Sequence, residues 1–110
     1  GWIPNGTDFP VERIEPLLTF YASVARKDLE GKPENGFQME NALTREETLK
    51  SMTIWAAKAA FEEGEKGSIE PGKFADFVIL QDDLMKISEN EIPKVNILKT
   101  YISGYPVLKR

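Results

Sequence analysis

The spacing of apolar residues predicts a first helix at about 14–26. They recur one, three and four positions apart, which gives a single apolar face. Pro16 suits the first turn of such a helix. The apolar positions are Leu17, Leu18, Tyr21, Val24 and Ala25.

A second and stronger helical pattern covers about 44–62. Thr44 is a good N-cap and Glu47 follows three residues later, which predicts a capping box. Gly64 is a plausible residue for the C-terminal cap. We expect one apolar face to meet a core or a larger body, and its members are Leu49, Met52, Thr53, Ala56, Ala59 and Ala60.

After residue 67 the pattern becomes typical of strands. Pro71-Gly72 indicates a type II turn, and the apolar run at 75–80 predicts a buried strand. Residues 95–108 predict two further strands around Ser103-Gly104. Ser88, with Glu91 three residues later, predicts another very short capped turn.

Residues 27–41 predict a long surface loop, because they contain two Gly, one Pro and several charges. A loop of this length in a small domain is often functional. Phe37 and Met39 are its apolar members, and the loop is a candidate lid.

The composition excludes several kinds of chemistry. The net charge is −4 and no basic stripe is present, which argues against partners such as nucleic acids or membranes. The 110 residues include no Cys and no His, so thiol catalysis, a Ser-His pair and a His-rich metal site cannot come from this chain alone. The missing Cys fits a cytoplasmic protein, although a signal peptide could precede this sequence.

Three motifs in fixed order resemble the C-terminal end of metal-dependent amidohydrolases, and amidohydrolase family 3 in particular. They are "GTDFPVE" at 6–12, the helical stretch from 42, and "GSIEPGKFADFVIL" at 67–80, which is very characteristic of amidohydrolases. A closing "ISGYPVL" hairpin follows. Thr7 departs from the pattern, because Ser is commoner there.

The resemblance implies an α+β fragment of a larger fold. Residues 1–63 would be the C-terminal part of a distorted (β/α)8 barrel, with 3–8 as its eighth strand and two outer helices. Residues 64–110 would be the C-terminal half of a small composite β-sandwich. The active site of such barrels lies at the carboxyl ends of the strands.

The residues alone favour a turn-forming Asp8 in "TDFP". The resemblance instead assigns Asp8 as the one catalytic residue of the whole enzyme. In the family, the Asp at the end of strand eight is a metal ligand and accepts the proton of the attacking water, roles that suit a carboxylate. The parent enzyme would use a divalent metal, zinc by expectation, to hydrolyse a C–N bond of an amide or cyclic amide. The isolated chain lacks the His-x-His pair and the bridging residue, so we expect it to be inactive and to hold no metal.

Other candidate residues have structural interpretations. We expect Asp76 to bond nearby backbone at a strand start, and Asp82-Asp83 to form a turn rather than a calcium site. Trp2 and Trp55 read as packing residues, although Trp2 could line a pocket at the barrel mouth. An acidic run at a helix end reads as a solvated face, and comprises Glu62, Glu63 and Glu65.

Two classes of function stay open from the sequence. In the first, the chain is part of a hydrolase with a small-molecule substrate, and its partner is the N-terminal part of the same enzyme or a second copy. In the second, it is a free-standing, non-catalytic α+β interaction module. Unpaired strand edges would favour association in either case.

Overall fold

The computed structural model describes residues 1–107 and shows a small α+β structure. Leu108, the last residue of the predicted closing hairpin, lies outside the described residues. The elements are α1 (Pro16–Ala25), α2 (Arg45–Met52), α3 (Ile54–Ala59), β1 (Phe77–Leu80), β2 (Ile97–Ile102) and β3 (Tyr105–Pro106), with 3-10 turns at Met39–Asn41 and Glu89–Lys94.

Helix α1 confirms the first predicted helix. Pro16 lies in its first turn, and the helix ends at Ala25, followed by the C-cap residue Arg26, whose backbone is left-handed with φ 55°. Its buried residues are Phe20, Tyr21 and Ala25. Tyr21 and Ala25 belong to the predicted apolar face, whereas Phe20 is buried but was not among the predicted members.

The second predicted helix is broken in two, which corrects the continuous helix expected from the sequence. Thr53 has φ −125° and ψ −96° and separates α2 from α3. The Thr53 hydroxyl donates to the Leu49 carbonyl at 2.7 Å, and such back-bonding bends helices. The capping box of Thr44 and Glu47 is confirmed, whereas Gly64 is not the cap, because α3 already ends at Ala59.

The break also changes which residues are covered. Ala59 and Ala60 are exposed, as is Leu49, so the predicted face is covered only in part, at the half-buried Met52 and Ala56. Thr48, Ser51 and Ala57 are buried instead. Because α2 and α3 are separated at Thr53, residues predicted to share one face of a straight helix do not all face the core.

The core forms where α1 meets the segment that precedes β2. Leu17, Val24, Met52, Leu80 and Ile87 are partly buried around it. The fully packed members are Phe20, Tyr21, Ala25, Leu84, Ile92 and Val95. The guanidinium of Arg45 in α2 joins that helix to the same segment by donating to the Leu84 carbonyl at 2.9 Å.

The three strands form one antiparallel sheet in the order β1-β2-β3. Phe77 lies opposite Tyr101, and their rings stack with centroids 4.6 Å apart. Ser103-Gly104 turn between β2 and β3, which confirms the predicted hairpin. The predicted burial of the first strand is wrong, since β1 is half-buried at its ends and exposed at its centre.

Residues 3–8 form no strand in the described part of the chain. A strand needs a neighbour for its ladder, and here the backbone N–H of Asn5 instead donates to the Ser51 carbonyl at 2.9 Å. The barrel strand, the β-sandwich half and the boundary at residues 63 and 64 stay predictions. No helix within residues 1–107 is long and apolar enough to cross a membrane.

Candidate active site

Asp8 lies at the start of a tight turn. Its backbone is left-handed with φ 57°, a conformation that Asp tolerates better than most residues. Its carbonyl accepts hydrogen bonds from the N–H groups of Val11 at 2.9 Å and Glu12 at 3.2 Å. The turn therefore fixes the backbone on the C-terminal side of the carboxylate.

Asp8 borders a shallow, open cleft of about 540 Å³. One wall is α1, through residues that include Leu18 and Ala22, and the other is the beginning of the loop at 27–29. Asp8 itself is exposed. A small molecule could reach its carboxylate from solvent.

The cleft contains charges of both signs. Its three cations already have partners: Arg13 pairs with Glu15 at 2.9 Å, Arg26 donates to the Phe37 carbonyl at 2.9 Å, and Lys27 lies 3.6 Å from Glu89. Among residues 1–107, no group hydrogen-bonds to the Asp8 carboxylate.

The described residues do not fit a complete metal site. No group of three His, Cys, Asp or Glu side chains within residues 1–107 is arranged to hold a metal ion. Asp8 offers one carboxylate, and a bound transition metal needs several protein ligands.

The loop at 27–41 has a smaller part in the cleft than a lid would require. Its first residues form the wall, but Phe37 and Met39 do not line the cleft and are exposed by 58% and 43%. The Phe37 ring lies 5.8 Å from the Arg26 guanidinium. This contact holds the loop against the end of α1.

The remaining candidate residues have structural roles. The Asp76 carboxylate accepts from the Ser103 N–H at 2.8 Å, and Asp83 accepts from Met85 at 2.9 Å within a turn. Trp2 packs beneath the Lys58 ammonium at 4.7 Å and does not line the cleft. Glu62 pairs with Lys66, and this ion pair raises the pKa of the Lys66 ammonium.

The motif at 67–80 also serves structure. Lys73 donates to Ser68 at 2.7 Å and lies 3.1 Å from Glu70. The Ser68 hydroxyl, followed by the Lys73 ammonium, holds the pKa of Glu70 below its usual value. Gly72 has φ +90°, which agrees with the predicted type II turn. This cluster is built around a turn rather than around the Asp8 cleft.

The sequence did not predict two of the cleft residues. Asn5 lies three residues before Asp8, and Ser23 lies on α1, and the two are joined by a hydrogen bond of 3.0 Å. The only signal in the sequence is a polar Ser within an apolar helical segment. Nothing in the sequence paired it with Asn5.

Comparison with known proteins confirms the resemblance to amidohydrolases. The model of the amidohydrolase family, family 3, matches residues 1–108. An N-substituted formamide deformylase of Arthrobacter pascens is 32% identical over 89% of this chain. The protein LONG AFTER FAR-RED 3 of Arabidopsis thaliana is 33% identical over 90% of it.

A solved amidohydrolase from Thermotoga maritima MSB8 superposes on 66% of this chain with a TM-score of 0.53 and 33% identity. The chain spans 18% and 16% of the two curated relatives and 17% of the solved structure. The chain belongs to the amidohydrolase family.

Proposed function

We propose that this chain is the C-terminal part of a metal-dependent hydrolase that cleaves a C–N bond of an amide or cyclic amide. The observation that carries the proposal is the family match, which includes the segment that places Asp8 in an open cleft. The name of the Arthrobacter pascens relative, a formamide deformylase, supports an amide as the substrate class. The chain alone is inactive, because it supplies one carboxylate.

The role of Asp8 in this proposal is that of a general base. Its carboxylate accepts a proton from the water that attacks the amide carbon. A bound divalent metal, with zinc as the expected ion, would supply activation of that water in the whole protein. Asp8 would be one of its ligands, and the others would lie outside this chain.

The test is Asp8→Asn in the full-length protein that carries this segment. Hydrolysis is measured on a panel of N-substituted formamides, N-acyl amino acids and cyclic amides. The Asn side chain keeps the shape but cannot accept the proton, so turnover should fall by about 10²- to 10⁴-fold with an unchanged melting temperature. Asp82→Asn removes an exposed carboxylate outside the cleft and is the matched control.

Two results would contradict the proposal. One is near-normal turnover by the Asp8→Asn protein. The other is zinc retained in stoichiometric amount by the 110-residue chain alone, measured by elemental analysis after dialysis.

The partner in this proposal is the N-terminal part of the same enzyme or a second copy of the chain. The support is that β1 pairs with β2 along one side, and no other strand within residues 1–107 pairs along its other side. Open edges recruit further strands. Light scattering on the 110-residue chain should show association that increases with concentration, and a monomer at high concentration would count against it.

A further inference from the structure

The segment that carries Asp8 is attached to the break between α2 and α3. The Asn5 backbone N–H donates to the Ser51 carbonyl at 2.9 Å. In a continuous helix that carbonyl would accept from the N–H four residues later, at Trp55. The kink at Thr53 turns the Ser51 carbonyl into an acceptor for a residue outside the helix.

The Asn5 side chain makes a second attachment, to α1. Its amide nitrogen donates to the Ser23 hydroxyl oxygen at 3.0 Å. The Ser23 hydroxyl in turn donates to the Thr19 carbonyl at 2.9 Å. Because the single hydroxyl proton of Ser23 is committed to Thr19, its oxygen can only accept from Asn5. The direction of this bond is therefore fixed.

These bonds restrain Asp8 from its N-terminal side. Asn5 is held to two helices, and the turn bonds of Val11 and Glu12 to the Asp8 carbonyl hold the other side. Asn5 and Ser23 line the same cleft as Asp8. Only Gly6 and Thr7 separate Asn5 from Asp8, so a shift of Asn5 would displace the Asp8 carboxylate directly.

We propose that Asn5 and Ser23 are positioning residues that hold the Asp8 carboxylate at the correct distance from the reacting groups. This role rests on the proposed function of Asp8 as the base. A displaced catalytic group lowers turnover steeply, by about a hundredfold for an error of about 1 Å. Binding of substrate through other contacts is unaffected, so kcat should fall and KM should stay the same.

The experiment compares variants of the full-length protein on the best substrate of the panel. Asn5→Ala and Ser23→Ala should each lower kcat by about tenfold or more. Both remove the same bond, so the double variant should be no slower than the worse single variant. Ser23→Thr keeps the hydroxyl and should restore most of kcat.

The matched control is Asn96→Ala. It removes a comparable side-chain bond, to Gln81 at 2.8 Å, on the sheet side of the chain. Its kcat should equal that of the unaltered protein. Melting temperatures are measured for every variant, and assays run well below the lowest of them. A fall in kcat then reports a change in the position of Asp8 and not unfolding of the protein.

Each pattern of results decides the matter. A fall in kcat at constant KM, with recovery in Ser23→Thr, supports the positioning role. The positioning role is overturned if Asp8→Asn is inactive while Asn5→Ala and Ser23→Ala keep full kcat. It is also overturned if Ser23→Thr is as slow as Ser23→Ala. In either case the proposed role of Asp8 as the general base still stands. An active Asp8→Asn protein, or no hydrolysis of the panel by the unaltered protein, overturns both proposals.

Discussion

Phe20 in α1 and Val78 in β1 are both apolar residues in regular secondary structure, but the first is 1% exposed and the second 49%. The surroundings of the two elements explain the difference. Helix α1 packs on the 3-10 turn at Glu89–Lys94 and on Leu84, which are distant in sequence. Every residue of the three strands is half-buried or exposed.

The comparison shows that strands can pair through their backbones without burying their side chains in a core. The strands satisfy their hydrogen bonds with each other, but a sheet face needs a second layer to bury its side chains. The helical region has that layer within residues 1–107, and the sheet does not. Mutations should therefore cost much more in the first region than in the second.

The largest expected effect is that of Phe20→Ala. Truncating a fully buried Phe leaves a cavity, and the free energy of unfolding should fall by about 3–5 kcal/mol. Val78→Ala in the sheet should change it by less than about 1 kcal/mol. Urea unfolding of the 110-residue chain measures both. Equal losses at the two positions would mean that the sheet is covered in solution, for example by a second copy.

A smaller effect is expected at Gly67, which joins the helices to the sheet. Its φ is +96°, and an added Cβ would lie 2.8 Å from the Cβ of Ala57 and 2.9 Å from the Cα of Ile54. Gly72 has a similar φ of +90° with nothing within 4 Å. Gly67→Ala should therefore cost about 1–3 kcal/mol more than Gly72→Ala, the usual price of overpacking.

Thermal unfolding of the two alanine variants separates steric contact from backbone strain. Both carry the strain of a positive φ, and only Gly67→Ala carries the clash against α3. Identical melting temperatures would contradict the close approach of residue 67 to this helix.

The smallest effect concerns pH and the capping box. The Thr44 N–H bonded to the Glu47 carboxylate, followed by the Thr44 hydroxyl, lowers the pKa of Glu47 from its ordinary 4.5. A lowered folded-state pKa adds stability above pH 4.5, and this stability disappears as the pH falls through the folded value. The melting temperatures of the unaltered chain and Glu47→Gln should differ at neutral pH and converge in acid.

Glu70→Gln is the control from the sheet side. The pKa of Glu70 is also lowered, by Ser68 and Lys73, so its pH dependence has the same sign. Because its partners lie in a local turn and not beside the core, we expect a smaller change in melting temperature. A larger change for Glu70 than for Glu47 would reverse the comparison of the two regions.

For the site, the sequence identified Asp8 through its motif, and the structure supplied its surroundings. Asn5 and Ser23 are 18 residues apart, and no local pattern pairs two such residues. The predicted bond of Asp76 to backbone is confirmed, but the predicted nearby partner is wrong, since Ser103 is 27 residues away. Contacts of this kind depend on how elements pack, and one sequence does not contain that information in periodic form.

The sequence by itself determined the local structure: α1 from its apolar spacing, the capping box of Thr44 and Glu47, the turn at Pro71-Gly72 and the hairpin at Ser103-Gly104. Each of these depends on residues within a few positions of one another. The tertiary structure decided the break at Thr53, the exposure of Ala59 and Ala60, and the attachment of the Asp8 segment to two helices. These features depend on which surfaces meet, because burial and hydrogen bonds between distant residues are settled only when the whole chain packs.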